Sequence, residues 1–215
     1  MTGKSLNHLH LFIILGLGFF LTGCALNRPY PEKSSYLPDV SFEVSNENKP
    51  LPFRIKVRNT RVTAPFEGKA FVYRLPEGQW ETDFYNEWFA YPRDLVTENC
   101  IAALARSNKF AAVTSEDSLI DADYYLEGAL IESYLDRRNP KQPESVIKTR
   151  WVLIPNKPGL MPTLDEGEWK KVYEERQSLG QDTPNAYSEA SALGLGNILN
   201  QLVSDLSQHL DTAHP

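Results

Sequence analysis

The break at Cys24 constrains this chain more than any other feature, because the residues before it cannot contribute to a soluble core and those after it read as one. Lys4 is followed by Leu9, Leu11, Phe12, Ile13, Ile14, Leu15, Leu17, Phe19, Phe20 and Leu21, and the run closes on Thr22, Gly23 and Cys24. A charged start, a short apolar stretch and small residues at its end form the pattern of a cleaved export signal. His10, Gly16 and Gly18 interrupt the run, which falls short of the ~20 apolar residues that a spanning helix needs. The expectation is a signal over 1–23, with cleavage between Gly23 and Cys24.

Removal of the signal takes Lys4, one of 22 Lys+Arg, and leaves 28 Asp+Glu, so the mature chain carries a net charge of −7 with His neutral. A nucleic-acid partner would want a basic face, so this balance argues against one and against tight electrostatic docking on anionic lipid. With 41% hydrophobic and 11% aromatic residues the chain can fill one core, and its length suits one domain. Cys100 is the only other cysteine. It lies at helical spacing with Val96, Ala103 and Leu104, the position of a buried, inert thiol.

Residues 24–35 are polar and broken by Pro29 and Pro31, as in a flexible tether, so order is expected from about Tyr36. A domain over 36–210 follows. Ser41 to Val44 alternate like a short first strand. Phe53, Ile55 and Val57 alternate with Arg54, Lys56 and Arg58, as do Phe71, Tyr73 and Leu75 with Val72 and Arg74. Trp80, Phe84 and Trp88 are expected to share one face of a third strand, the three forming an antiparallel meander. Pro92 and Asp94 suit the first turn of the helix that holds Cys100.

A brief strand is expected over 111–114 and a long hairpin over 124–135 and 145–154. A proline-rich and glycine-rich connection over 155–168 comes next, long for a hairpin. Strand character resumes at Trp169, Val172 and Tyr173. From Asn185 on, Tyr187, Leu195, Ile198, Leu199, Leu202 and Leu206 fall at helical spacing. Gly194 and Gly196 weaken that helix, so close packing against the sheet is expected there. Two helices on a largely antiparallel sheet make a single α+β domain.

Catalytic chemistry has little to work with. His8 and His10 leave with the signal, and His209 and His214 lie at an end expected to fray, so no well-placed base serves a nucleophile. Zinc spacing and phosphate loops are absent. Asp121 with Asp123, and the acidic run 165–168, lack the ligand spacing of a calcium loop. The expectation is a protein that is no enzyme and holds no cofactor or metal.

Leu21, Thr22, Gly23 and Cys24 resemble the lipobox of bacterial lipoproteins. That resemblance implies a diacylglyceryl group on the Cys24 thiol and a fatty acid such as palmitate on its new amino terminus. Three chains hold where one gives only marginal binding. An ordinary secretory signal that happens to contain a cysteine is the alternative. Ala25, where an aspartate would retain the protein at the inner membrane, favours the outer membrane facing the periplasm.

The runs 53–57, 64–74 (APFEGKAFVYR) and 81–88 (ETDFYNEW), with Pro92 opening the helix and Ser107-Asn108-Lys109-Phe110 at its exit, resemble the family of ABC-type transport auxiliary lipoproteins over most of 36–206. The resemblance implies a non-enzymatic envelope component of an ABC transporter whose periplasmic part carries an MCE domain, in transport of lipid between membranes. The implied partners are that MCE-domain protein and the membrane through lipidated Cys24, with phospholipid as a candidate cargo and a homo-oligomer left open. Asp83, Tyr85 and Asn86, at the centre of the resemblance, are candidate partner-docking residues. The favoured alternative has Asp83 and Asn86 serving backbone groups where the strand bends toward the helix, since buried polar groups at such a bend need partners. A free-standing lipid carrier and a purely structural envelope lipoprotein are the competing functions. A deep apolar cavity would favour the carrier, and a closed core with an exposed patch the partner-binding subunit.

Overall fold

The computed structural model describes residues 32–43, 50–156 and 169–213. Cys24, the lipobox and most of the long 155–168 connection therefore lie outside the described residues. The described residues from Lys33 on form one compact unit and hold nine strands: β1 (Ser34–Tyr36), β2 (Leu51–Val57), β3 (Arg61–Val62), β4 (Ala70–Arg74), β5 (Trp80–Trp88), β6 (Phe110–Ser115), β7 (Tyr124–Asp136), β8 (Glu144–Pro155) and β9 (Trp169–Ser178). Two helices, α1 (Pro92–Arg106) and α2 (Pro184–Ala213), accompany them. No helix among the described residues is long and apolar enough to cross a membrane.

The domain is α+β, its two helices on one sheet whose longest ladders, β7 with β8 and β8 with β9, are antiparallel. The expected meander is corrected: only β4 and β5 of its three strands pair with each other. Strand β2 instead runs parallel to β6 on one side and β7 on the other. One edge of β7 meets β2 at Tyr124–Leu126, β3 at Ala129 and Leu130, and β4 at Leu135 and Asp136, all parallel. Alternation along a strand reports which face is buried and carries no information about the neighbour, so the sequence could not distinguish these pairings.

The main core lies between the sheet and the helices. Ile55, Val57, Leu126, Leu130, Trp151 and Leu153 meet Cys100 and Leu104 of α1 and Ile198, Leu199, Leu202 and Leu206 of α2. The Cys100 thiol is buried, and desolvation pushes its pKa well up. Trp151 faces Gly128 across the β7–β8 ladder, where a Cβ would stand 2.5 Å from the indole, so only glycine admits the ring there. A second cluster joins Phe71, Tyr73, Trp88, Leu135 and Tyr187. A third, on the other face of β4, joins Phe66, Val72, Tyr134 and Val146.

Three local expectations are corrected. Residues 41–43 are not a strand, and Val44 lies outside the described residues. The stretch lies against α2 instead: the Glu43 N–H donates to Asn200 Oδ1 at 3.0 Å, and a Cβ on Gly196 would stand 2.7 Å from the Ser41 carbonyl oxygen. Gly196 thus admits this segment, whereas a Cβ on Gly194 would meet Gln177 of β9 at 3.4 Å, an ordinary contact distance. Ser34 and Ser35, expected in the tether, pair with Asn86 and Glu87 in β1. His209 is half-buried within α2, its ring 6.5 Å from that of Trp169, and does not sit at a frayed end; His214 lies outside the described residues.

At the end of β7, Asp136 ties the β7–β8 turn to β9. Arg138 Nη2 donates to its Oδ2 at 2.6 Å and Arg176 Nη2 at 2.8 Å. These partners, Arg138 foremost, hold its carboxyl down to about 2. A depressed carboxyl stabilises the fold above the unfolded Asp pKa of about 3.9 and loses that contribution as pH falls through the folded value. Acid unfolding should therefore steepen between about pH 4 and 2, and Asp136→Asn should flatten this limb of a stability–pH profile. Trp88→Ala should cost ~3–5 kcal/mol in denaturant unfolding, because its ring is buried 4.5 Å from Phe71 and 5.4 Å from Tyr187.

Candidate docking site

Strand β5 holds all three candidate docking residues, and a break in its alternation sets what each can do. Val72, Tyr73 and Arg74 pair with Thr82, Glu81 and Trp80, whereas Ala70 pairs with Glu87, so the register slips by three residues between the two stretches. An odd slip reverses the faces. Trp88 consequently enters the core at 5% exposure, while Trp80 and Phe84 stand 50% and 61% exposed. This overturns the expectation of one shared aromatic face.

Asp83 fastens the bulge. Its Oδ1 accepts from the backbone N–H of Tyr85 at 2.7 Å and of Asn86 at 3.0 Å, and its Oδ2 accepts from Asn86 Nδ2 at 2.8 Å and from the Tyr73 hydroxyl. Partial burial pushes the Asp83 carboxyl up, but the Tyr73 and Asn86 hydrogen bonds outweigh it and leave the group below its usual range. Burial, with Asp83 alongside, raises the Tyr73 hydroxyl, and the Arg137 guanidinium lies 4.0 Å from the centre of its ring. Asn86 Oδ1 also accepts from the Tyr36 hydroxyl at 3.3 Å, tying β1 to the bulge. Asp83 and Asn86 thus have their polar groups engaged within the domain, and of the three candidates Tyr85 turns its ring to solvent.

Two surfaces flank the bulge. Toward the start of β5, an apolar concavity of about 560 Å³ is lined by Pro65, Phe66, Val72, Trp80, Glu81 and Thr82. The Trp80 ring packs edge-on against Tyr134 at 4.9 Å and Phe66 at 6.1 Å, with the Arg74 guanidinium 5.3 Å from its centre. Toward the end of β5, Phe84, Tyr85, Phe89, Tyr91 and Leu37 are exposed. None of these except Tyr85 was singled out in the sequence for docking. The available signal was the Asp-x-x-Asn spacing, which marks a turn-like kink inside an otherwise regular strand.

The core between helices and sheet is closed. The space bounded by Trp88, Val96, Leu130, Ile147 and Leu195 amounts to about 30 Å³, against the 300 Å³ or more typical of small-molecule sites. Among the described residues no group of three or more His, Cys, Asp or Glu side chains could hold a metal. Asp123, of the first acidic pair considered for calcium, accepts from the Arg54 guanidinium at 2.9 Å and from its backbone N–H at 2.8 Å. The acidic run 165–168 lies outside the described residues.

No family model and no curated protein matches the chain. Among solved structures it is similar to protein XCC0632 from Xanthomonas campestris, described under the family model DUF330, with a TM-score of 0.72 and 16% identity over 84% of this chain and 99% of that one. An uncharacterized protein follows at a TM-score of 0.62 and 14% identity, covering 81% and 99%. The hypothetical protein CT253 from Chlamydia trachomatis is similar at 0.53 and 9% identity, covering 74% and 98%. At these identities the likeness is one of fold.

Removing the carboxylate that fastens the bulge leaves two backbone N–H groups and the Tyr73 hydroxyl to find other partners. Asp83→Ala should therefore destabilise by ~1–3 kcal/mol, read as a lower denaturant midpoint, while Phe84→Ala should stay within ~0.5 kcal/mol of the parent.

Proposed function

We propose that this chain is a lipid-anchored envelope protein that serves an ABC/MCE-type intermembrane lipid transport system by binding a protein partner, without catalysing a reaction. The export signal and the Leu21 to Cys24 lipobox support the anchor, and the family resemblance of 53–57, 64–74 and 81–88 supports the transport system. One observation favours partner binding over lipid carriage: the core leaves about 30 Å³, too little for an acyl chain, while large aromatic side chains stand at the surface of β5.

The concavity at Trp80 is the surface offered to the protein partner. A half-exposed tryptophan, backed by Phe66 and Tyr134 and flanked by Arg74, is the residue combination in which binding energy concentrates at interfaces. Tyr85 lies outside this concavity, on the other side of the bulge, and Asp83 and Asn86 act on the surface indirectly by setting the path of β5. The reading needs no nucleophile, and the buried Cys100 thiol, with its raised pKa, is no candidate for one.

Two measurements test the reading. Cys24→Ser should abolish fatty-acid labelling and move the protein out of the membrane fraction; labelling that persists in this variant would remove the anchor. Crosslinking in intact cells, followed by purification and lipid analysis, should recover an MCE-domain protein, and Trp80→Ala should reduce that yield several-fold while leaving the fold intact. Stoichiometric phospholipid with no protein partner would replace the proposal with a free-standing carrier.

A further inference from the structure

We infer that the second exposed surface of β5, formed by Leu37, Phe84, Tyr85, Phe89 and Tyr91, rests on the membrane that holds the acylated amino terminus, with its rings at the level of the lipid headgroups. This rests on the anchoring of Cys24 proposed above. It adds a face and an orientation to that anchor.

Chain geometry supplies the first reason. Strand β1 begins at Ser34 beside Asn86, so the chain enters the domain at this edge. Lys33 lies with its ammonium 5.2 Å from the centre of the Phe84 ring and 3.6 Å from Glu87. Eight residues lie between Cys24 and Lys33, a reach of at most about 30 Å over the nine steps when fully extended. Acylation at Cys24 therefore holds this edge near the bilayer at high effective concentration. Trp80 lies six residues before Asn86 on β5, and because Glu87 pairs with Ala70 and Trp80 with Arg74 the two ends stand about four residue steps apart, on the order of 13 Å, with the concavity at Trp80 on the far side of the bulge.

The chemistry of the edge is the second reason. Five large apolar side chains, each more than two-fifths exposed, come from two short segments held together where Phe89 N–H donates to the Tyr36 carbonyl at 2.8 Å. Tyrosine rings, apolar in body and polar at the tip, favour the membrane–water interface. Lys69 donates to the Phe89 carbonyl at 2.7 Å and sits 5.5 Å from the centre of the Tyr91 ring. A cleft of about 710 Å³ continues the surface beside Tyr91, with Arg61, Arg93 and Glu67 in its lining.

Charge around the edge is mixed. The cations Lys33, Lys69, Arg61 and Arg93 lie among the carboxylates Asp39, Asp83, Glu87, Asp94 and Glu67, of which Glu87 pairs with Lys33 and Asp94 with Arg93 at 3.2 Å. Charge therefore supplies no net pull toward phosphate headgroups, and burial of the aromatic rings supplies the attraction.

Depth measurement on the acylated full-length protein, reconstituted in vesicles of phosphatidylethanolamine and phosphatidylglycerol, tests this. A nitroxide attached through Phe89→Cys reports the edge, Phe84→Cys gives a second reading there, and Leu119→Cys, 99% exposed in the connection after the opposite edge strand β6, is the reference. Cys100 is buried and Cys24 acylated, so the label goes to the introduced thiol. Collisions with oxygen should rise several-fold, and collisions with a water-soluble nickel chelate fall several-fold, at positions 84 and 89 relative to 119. Equal nickel access at all three positions, on protein whose mass shows the acyl chains, would overturn the inference and leave the anchor standing. Loss of both collision types at 84 and 89 would also overturn it, in favour of a protein or a second copy covering the edge. A mass without acyl chains would remove the anchor and this inference together.

Discussion

Strand β7 needs hydrogen-bond partners along both edges for thirteen residues, and the arrangement of the domain follows from how those partners are supplied. A buried backbone amide left unpaired costs as much as a lost hydrogen bond, so neither edge can be left bare. On one side β8 matches β7 along its whole length. On the other no single strand is long enough, and β2, β3 and β4 share the edge in turn, all parallel to it. Where β7 slips register at Ile131, the Ile131 carbonyl accepts from Thr63 Oγ1 at 2.6 Å. Trp151 over Gly128 then fixes the thickness of the core that α1 and α2 cover.

With β7 central, the sheet has edges that must be managed. Strand β9 shields its edge with Lys170, Lys171, Glu174 and Arg176, all exposed, the kind of charged edge that resists pairing with another chain. Strand β5 is treated differently. Its final residues are covered by β1, its middle is bulged by the Asp83 carboxylate, and its exposed positions are aromatic. An edge so rich in exposed aromatic rings is unusual for a protein that only has to stay soluble, and it is where function is best sought.

The bulge also explains how one strand can serve two surfaces. Three extra residues on β5 turn Trp88 inward to Phe71 and Tyr187 and leave Trp80 outward against Phe66 and Tyr134. The outward tryptophan lies at the end of β5 far from where the chain enters, and the Phe84–Phe89 edge lies beside that entry. The two surfaces for which a membrane-side and a partner-side contact are proposed thus lie on either side of one bulge, and the closed core between helices and sheet supports both.

Much of this domain was legible in its residues. Alternation located β2, β4, β7 and β8, and 3.6-residue spacing located α1 and α2, because period reports local geometry and the buried face directly. The buried Cys100 followed from its place on the apolar stripe of α1. The expected signal and lipobox rest on the sequence alone, because their residues lie outside the described ones. What the residues could not reveal were relations between distant segments: that β2 turns away from β4 to join β6 and β7, that residues 41–43 lie against Gly196, and that His209 is packed beside Trp169. The docking candidates divide the same way. The spacing of Asp83 and Asn86 marked a bend, but a three-residue register slip is a property of the β4–β5 pair, and only that pairing decided which aromatic ring went into the core and which met the solvent.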